Sequence, residues 1–459
     1  MATQANTGAR AGCAAVALLV VLAGCARNQP APPPPIQYAS QTTSVAVSSP
    51  TPSASPVASP SPSPSPTPTQ PAVNLPDPAK LNESLAKVPS KNVGTTSLVV
   101  MDSTGQTIVS RSDQPLTPAS VMKVVTAAAV LDKIDQNVTF KTRVVRVDAS
   151  TIALVGGGDP LLTDAPSKDP AELACLTDLA KKTAAALGGA TTVKLVYDES
   201  LFSGPNWGGS WREEWKGHFP VVGALVINGA MKDGWNSHPD PANQAAQAFA
   251  KRLQENGITV SSTAAGLAPE TGRTLASVAS APLGVIVADM MRTSNNLSAE
   301  VLARHLGLAT YADGSFDGGS KAIQDWLTAR GWLDSGVVID GGSGLSLKAL
   351  LTGKLVSRVL GLTLTDPRYA SVVSGLPVAG VSGTLKNRFN NPATAAGRGN
   401  VHAKTGTLDN VATLAGFVKD QTGVYLVFSA MANQTGGHVA EATSWLDTSA
   451  SVLAGCGCR

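Results

Sequence analysis

The chain has 459 residues, a formal net charge of +3 and only 15% charged side chains, with no block of like charge anywhere. That excludes a basic nucleic-acid surface and an acidic tail, so no nucleic-acid partner is expected. At about 150 residues per domain the length admits two or three domains.

Residues 1–24 read as an export signal, with Arg10 ahead of an apolar core over 14–22 and the small residues Ala23 and Gly24 after it. The core falls short of the ~20 residues needed to span a bilayer. Leu22-Ala23-Gly24-Cys25 resembles a bacterial lipobox, which makes Cys25 the expected lipidation site and a membrane lipid anchor the expected attachment. The other reading is a plain signal peptide whose cleavage site contains a cysteine. From 25 to 78 the sequence is mostly Pro, Ser, Thr and Ala, including the alternation Ser59-Pro60-Ser61-Pro62-Ser63-Pro64-Ser65-Pro66. Such composition favours extended polyproline geometry over a packed core, and ~50 residues at ~3.1 Å each reach on the order of 150 Å. A disordered tether is predicted there, or a glycosylated stalk. Beyond Cys13 and Cys25 there remain Cys175, Cys456 and Cys458, an odd number whose pairing stays open. His218, His238, His305, His402 and His438 are scattered away from metal-ligand spacing.

The globular part starts near Ala79. Alternation over 96–101 and 106–110, joined by a tight turn through Asp102, Ser103 and Gly105, predicts a hairpin. It feeds a helix over 121–131 that is apolar nearly all round and therefore buried. Pro118 suits the first turn of that helix, where no backbone N–H is required. Strands over 140–147 and 151–155 lead into Gly156-Gly157-Gly158-Asp159-Pro160. No Gly-Lys-Ser/Thr follows those glycines, so they read as a structural turn and not as a phosphate loop. Next come a helix over 170–187, a strand over 192–197 and a loop-rich segment over 198–240 with Trp207, Trp211, Trp215 and Trp235. The tryptophans fit a ligand platform or, more commonly, anchors that pin an irregular segment to the core. A helix over 241–256, ending at Gly257, closes a unit over 141–275. An apolar helix over 283–291, strands over 401–407, 411–418 and 424–430, and a helix over 439–452 follow.

Chemistry concentrates in three short motifs. Ser120 and Lys123 lie one turn apart on one face of the buried helix. In a low-dielectric setting the amine loses its charge and takes the hydroxyl proton. Ser84-Leu85-Ala86-Lys87 has the same spacing, but Pro89 and Gly94 cut its segment short. Ser294 and Asn296 offer a hydroxyl that relays protons and an amide that both donates and accepts, although a polar helix cap explains them equally well on their own. Lys404, Thr405, Gly406 and Thr407 on a strand present an ammonium and hydroxyls, with a glycine that lets a substrate backbone lie close.

In this order, each on its expected element, the motifs resemble those of the penicillin-recognising serine enzymes. From about 80 to 453 the chain is most similar to the D-alanyl-D-alanine carboxypeptidase/endopeptidase family, the low-mass penicillin-binding proteins with a large insertion. The likeness rests on Pro118-Ala119-Ser120-Val121-Met122-Lys123, Val155-Gly156-Gly157-Gly158-Asp159-Pro160, and Ser294 and Asn296 with Ala299-Glu300. It extends through Asp340-Gly341-Gly342-Ser343-Gly344-Leu345-Ser346, Leu376-Pro377-Val378-Ala379-Gly380 with Gly383-Thr384-Leu385, and Ala403-Lys404-Thr405-Gly406-Thr407-Leu408. Asn295 stands where the family usually has Asp, and one extra glycine interrupts the Asp-Gly-Ser-Gly-Leu-Ser pattern. About 170 residues part Lys123 from Ser294, and no Glu-x-x-Leu-Asn occurs, which separates the chain from the class A β-lactamases.

The resemblance implies an α/β fold: a β-lactamase/transpeptidase-like catalytic domain over 79–140 and 276–459, with an antiparallel sheet flanked by helices, and an inserted α/β domain over 141–275. It implies Ser120 as nucleophile, Lys123 as its proton acceptor and Ser294 as the group that passes a proton to the leaving amine. Asn296 would orient Lys123 and the substrate amide, and the N–H groups of Ser120 and Thr407 would hold the oxyanion. Lys404 would supply positive potential, with Thr405 and Thr407, flanking Gly406, on the terminal carboxylate. The expected activity is that of a serine-type D-Ala-D-Ala carboxypeptidase, with DD-endopeptidase action alongside, on peptidoglycan stem peptides. Acylation by β-lactam antibiotics is expected, without cofactor or metal, at the outer face of the bacterial plasma membrane or in the cell wall. Two other readings share the scaffold. A β-lactam-hydrolysing serine enzyme would turn penicillin over, and a non-enzymatic wall-binding lipoprotein would form no acyl adduct.

Overall fold

Residues 75–167, 173–233 and 236–459 are described by a computed structural model. The export signal, Cys25, nearly all of the tether and Trp235 lie outside them. In chain order the elements begin with α1 (Pro78–Ala86), β1 (Thr95–Asp102), β2 (Thr107–Arg111) and α2 (Met122–Lys133). There follow β3 (Lys141–Arg146), β4 (Thr151–Val155), α3 (Leu176–Ala186), β5 (Thr192–Asp198), α4 (Pro241–Glu255), β6 (Thr259–Ala265) and β7 (Thr274–Ala279). The remainder is α5 (Leu283–Thr293), α6 (Asn296–Tyr311), α7 (Phe316–Ala329), α8 (Gly353–Thr365), α9 (Ala370–Gly375), β8 (His402–Leu408), β9 (Val411–Lys419), β10 (Tyr425–Asn433) and α10 (Val439–Ala454).

The run Leu98-Val99-Val100-Met101 is apolar at every position because both faces of its sheet are covered. Leu98 and Val100 join a core shared with α1 and α10, while Val99 and Met101 join a core shared with α2, α5 and α8. The sheet has the order β2-β1-β10-β9-β8 and all its pairings are antiparallel, so the first strand pairs with the last and β8 is left at an edge. Every residue of α2 from Met122 to Leu131 is buried, which explains a sequence with no polar face.

A second five-stranded sheet, β6-β5-β4-β3-β7, is mixed: β3 pairs antiparallel with β4 and β7, while β4–β5 and β5–β6 are parallel. The parallel steps need crossovers, and α3 and α4 supply them, packing Leu176, Leu179, Phe249 and Leu253 onto one face. The chain enters this sheet at Lys141 and leaves it at Ala279, which are register partners. The glycine run between β4 and Leu161 is held by close packing. A Cβ on Gly157 would stand 2.1 Å from the Lys141 carbonyl oxygen, and Gly158 (φ +71°) lies against His305.

Two local features depart from the sequence reading, and a third concerns the cysteine pairing that it left open. A short helix, α1, precedes the hairpin because Asp77 caps it by accepting from the Ala79 and Lys80 N–H groups and Pro78 opens it. Helix α3 starts at Leu176 and not at 170, since Cys175 is held extended in a bridge to Thr163. Cys456 and Cys458 form a disulfide, with Cα atoms 5.1 Å apart, while Cys175 is a buried free thiol.

Candidate active site

The nucleophile candidate stands on a one-turn 3-10 helix, Ala119–Val121, immediately before α2. Its backbone is unusual: Ala119 adopts φ +45°, a left-handed conformation that costs an L-residue roughly 1–2 kcal/mol. Gly344 makes room for it, since a Cβ there would come within 1.9 Å of the Ala119 carbonyl oxygen. Ser120 is half-buried in consequence, and Lys123 points inward from the first turn of α2 with 0% exposure.

Lys123 Nζ donates to three acceptors: Ser120 Oγ at 2.9 Å, Asn296 Oδ1 at 2.7 Å and the Ser343 carbonyl at 2.7 Å. Burial pulls its pKa from 10.5 down to about 7, against the opposing attraction of the Glu300 carboxylate. The second Ser-x-x-Lys pair has no such surroundings. Ser84 donates to the Lys80 carbonyl at 3.0 Å on α1, and Lys87 pairs with Glu83 in solvent.

Ser294 and Asn296 belong to the junction of α5 and α6. Ser294 closes α5 in the left-handed region (φ +62°), and Asn295 caps α6 by accepting the Ser298 N–H at 3.1 Å. Asn and Asp cap helices about equally well, which accounts for Asn295 where Asp is usual. Opposite them runs β8. Lys404, fully buried, donates to Ser294 Oγ and to the Thr405 carbonyl, both at 2.8 Å. Burial, and then the charge of Lys123, push the Lys404 amine well below its ordinary value. Each amine therefore disfavours the charged form of the other.

Thr405 Oγ1 shares a 2.7 Å hydrogen bond with Thr384 Oγ1. A Cβ on Gly406 would stand 2.9 Å from the Ser120 nitrogen and 2.2 Å from Thr413 Oγ1, so β8 and the serine turn touch at this glycine. Ala403 donates away from β9, to the Pro377 carbonyl. By the two-residue period of a strand, the Thr405 and Thr407 N–H groups point to the same edge, beyond its bridge to Val378, and Thr407 is exposed there. Eight of the nine residues expected to carry chemistry are thus brought to one cleft, and the ninth, Cys25, is outside the described residues.

Other residues at the cleft were given no catalytic role from sequence. Ser343 lies in the run 340–346 already noted, but the part it plays is that of a backbone carbonyl, which its side chain does not announce. Glu300, 1% exposed, accepts from the Gly342 and Ser343 N–H groups at 2.9 and 2.8 Å, and its signal was its place one turn beyond Asn296 on the same helical face. The loop-rich segment between β5 and α4 also reaches the cleft. Trp207 and Trp211 are buried with Leu297, Val301 and Leu345, neighbours of Asn296 and Ser343. Ser210 donates to Asp340, and Arg212 pairs with Asp409 in the turn after β8. These tryptophans pin the segment down, the more common of their two readings.

The D-Ala-D-Ala carboxypeptidase 3 (S13) family model matches residues 78–217 and 216–446. A carboxypeptidase of Mycobacterium tuberculosis is 33% identical over 371 residues, covering 77% of this chain and 79% of that protein. Carboxypeptidase DacB of Mycolicibacterium smegmatis is 33% identical over 365 residues, covering 75% and 76%. The crystal structure of penicillin-binding protein 4 (dacB) from Haemophilus influenzae superposes with a TM-score of 0.66 at 21% identity, over 80% of this chain and 97% of that one, a likeness of fold. The sequence, the two five-stranded sheets and the lysine–serine cleft agree: this chain belongs to the D-Ala-D-Ala carboxypeptidase 3 (S13) family.

Proposed function

We propose that this chain, a serine-type D-Ala-D-Ala carboxypeptidase by family, cleaves peptidoglycan stem peptides through an acyl-enzyme on Ser120. The observation that carries the proposal is the 2.9 Å hydrogen bond from the buried Lys123 amine to Ser120 Oγ. With its pKa near 7, Lys123 is half neutral at neutral pH and accepts the Ser120 proton as Oγ adds to the carbonyl between two D-alanines. The Ser120 and Thr407 N–H groups stabilise the oxyanion. Ser294 passes a proton to the departing amine, and Asn296 orients both Lys123 and the substrate amide. The free edge of β8 accepts the substrate backbone, close to Gly406. A terminal carboxylate on Thr405 and Thr407 restores the charge of Lys404, which burial otherwise suppresses. Water then hydrolyses the ester. Penicillin acylates the same serine.

The enzyme is exported and acts on the cell wall. We assign the finer placement to Cys25: lipidated, it holds the protein on the outer face of the plasma membrane, and the Pro/Ser segment over 25–78 spaces the catalytic domain (79–140 and 276–459) from the bilayer. The unit over 141–275 is a semi-independent domain that shapes access for branched wall peptides. Purified protein given a D-Ala-D-Ala-terminated pentapeptide and a cross-linked dimer should release D-alanine from the first and resolve the second, read by mass, while Ser120→Ala does neither. Turnover absent together with any penicillin adduct would sink the proposal.

A further inference from the structure

A neutral amine has two hydrogens and one lone pair. Two of the three groups around Lys123 Nζ, Asn296 Oδ1 and the Ser343 carbonyl, are pure acceptors and each takes a hydrogen. What remains facing Ser120 Oγ is the lone pair, so the position of the Ser343 carbonyl decides whether the base is aimed. That carbonyl belongs to the loop 340–346, which crosses between α2 and α6. From α2, Thr126 Oγ1 donates to the Gly342 carbonyl at 2.7 Å. From α6, Glu300 accepts the next two N–H groups with separate carboxylate oxygens, Gly342 at 2.9 Å and Ser343 at 2.8 Å. The loop is seated directly on α6, since a Cβ on Gly342 would stand 2.7 Å from the Ala299 carbonyl oxygen and one on Gly341 (φ +85°) 3.0 Å from Glu300 Oε1.

We propose that Glu300 is a positioning residue for the proton transfer: by holding the Gly342 and Ser343 N–H groups it fixes the Ser343 carbonyl against Lys123 and so aims the amine lone pair at Ser120. The proposal rests on Ser120 and Lys123 being nucleophile and base. Glu300 holds the Gly342 and Ser343 N–H groups and makes no hydrogen bond to Ser120 or Lys123. Its charge also faces Lys123 from α6, where Arg304 is the next cation along the helix, while Lys404 approaches Lys123 from β8. The carboxylate favours the ammonium form of Lys123, partly offsetting burial.

The test is the rate of penicillin acylation of the full chain between pH 5 and 9, for wild type, Glu300→Gln and Glu300→Asp, with Tm measured for each. Asp keeps the charge but shortens the reach, so the plateau rate should fall on the order of 10²-fold, the cost of ångström-scale misplacement, with the pH midpoint unmoved. Gln removes the charge and turns an amide N–H₂ toward a backbone donor. Its plateau should fall similarly, and its midpoint should move to lower pH by on the order of one unit, because the ammonium loses its counter-charge. A purely structural glutamate would lower Tm in both variants while the folded protein kept the wild-type plateau rate. An Asp variant within twofold of the wild-type plateau, or a Gln variant with an unmoved midpoint, overturns the proposal. If the Gln variant does not fold, the Asp plateau decides alone. Ser120→Ala is run alongside: adduct surviving that change would sink the assignment of Ser120 itself, independently of Glu300.

Discussion

Acylation should depend on pH through the buried Lys123 amine. An ordinary lysine, at 10.5, is neutral in only ~3 molecules in 10⁴ at pH 7, whereas burial to about 7 leaves roughly half neutral, a gain in reactive base of about 10³-fold. The acylation rate should therefore climb about tenfold per pH unit below 7 and level off above it. Lys123→Arg removes the effect, because a guanidinium does not deprotonate, and should cost on the order of 10²- to 10⁴-fold at every pH. Fluorescent-penicillin labelling, quenched over seconds and quantified on gels, measures both. A rate flat from pH 5 to 8, or an Arg variant within tenfold of wild type, would refute the role given to Lys123. The same shift has a sign for stability. The folded pKa lies below the unfolded one, so between about 7 and 10.5 the unfolded chain binds more protons and stability rises with pH. Below 7 the cost of burying the amine, on the order of 5 kcal/mol, is borne in full.

Gly406→Ala should lose labelling on the order of 10²-fold, since its Cβ would press on Thr413 and on the Ser120 nitrogen; Gly209→Ala, with nothing within 4 Å, is the matched control, and equal labelling of the two would contradict the contact. Trp211→Ala removes a buried ring stacked edge-on against Trp207 and Phe316 and should destabilise by about 3–5 kcal/mol, so an unchanged Tm would contradict its anchoring role. Cys25→Ala should shift the protein from the membrane fraction to the soluble one; retention with membranes would rule out lipidation as the anchor.

The sequence was most legible where one residue type carries one job. The apolar α2, the alternating strands and the three motifs fell where spacing put them, because burial and period leave a direct imprint. Helices α6 to α9 and strands β6 and β7 were not read; α6, for one, buries Glu300, Arg304 and His305 and so lacks a clean apolar stripe. The second face of the cleft was equally hidden. The Ser343 carbonyl is main chain, and the contact of the tryptophan segment with Leu297 and Leu345 joins residues about 90 and about 135 positions apart, which no local pattern encodes.

The cleft is closed by bonds between residues very distant in sequence: 173 and 220 positions for Lys123 to Asn296 and Ser343, 110 for Lys404 to Ser294, and 316 for Asn433 to Thr117, just ahead of the serine turn. Each such closure must be made before it is rewarded, and topologies dominated by non-local pairing fold slowly. A chain whose first strand waits for its last cannot hold a reactive serine while it is still being made or exported. Competence for penicillin is therefore a late event in folding, and in refolding experiments the appearance of the adduct should trail the recovery of helical signal, timing the moment at which the two ends of the sheet meet.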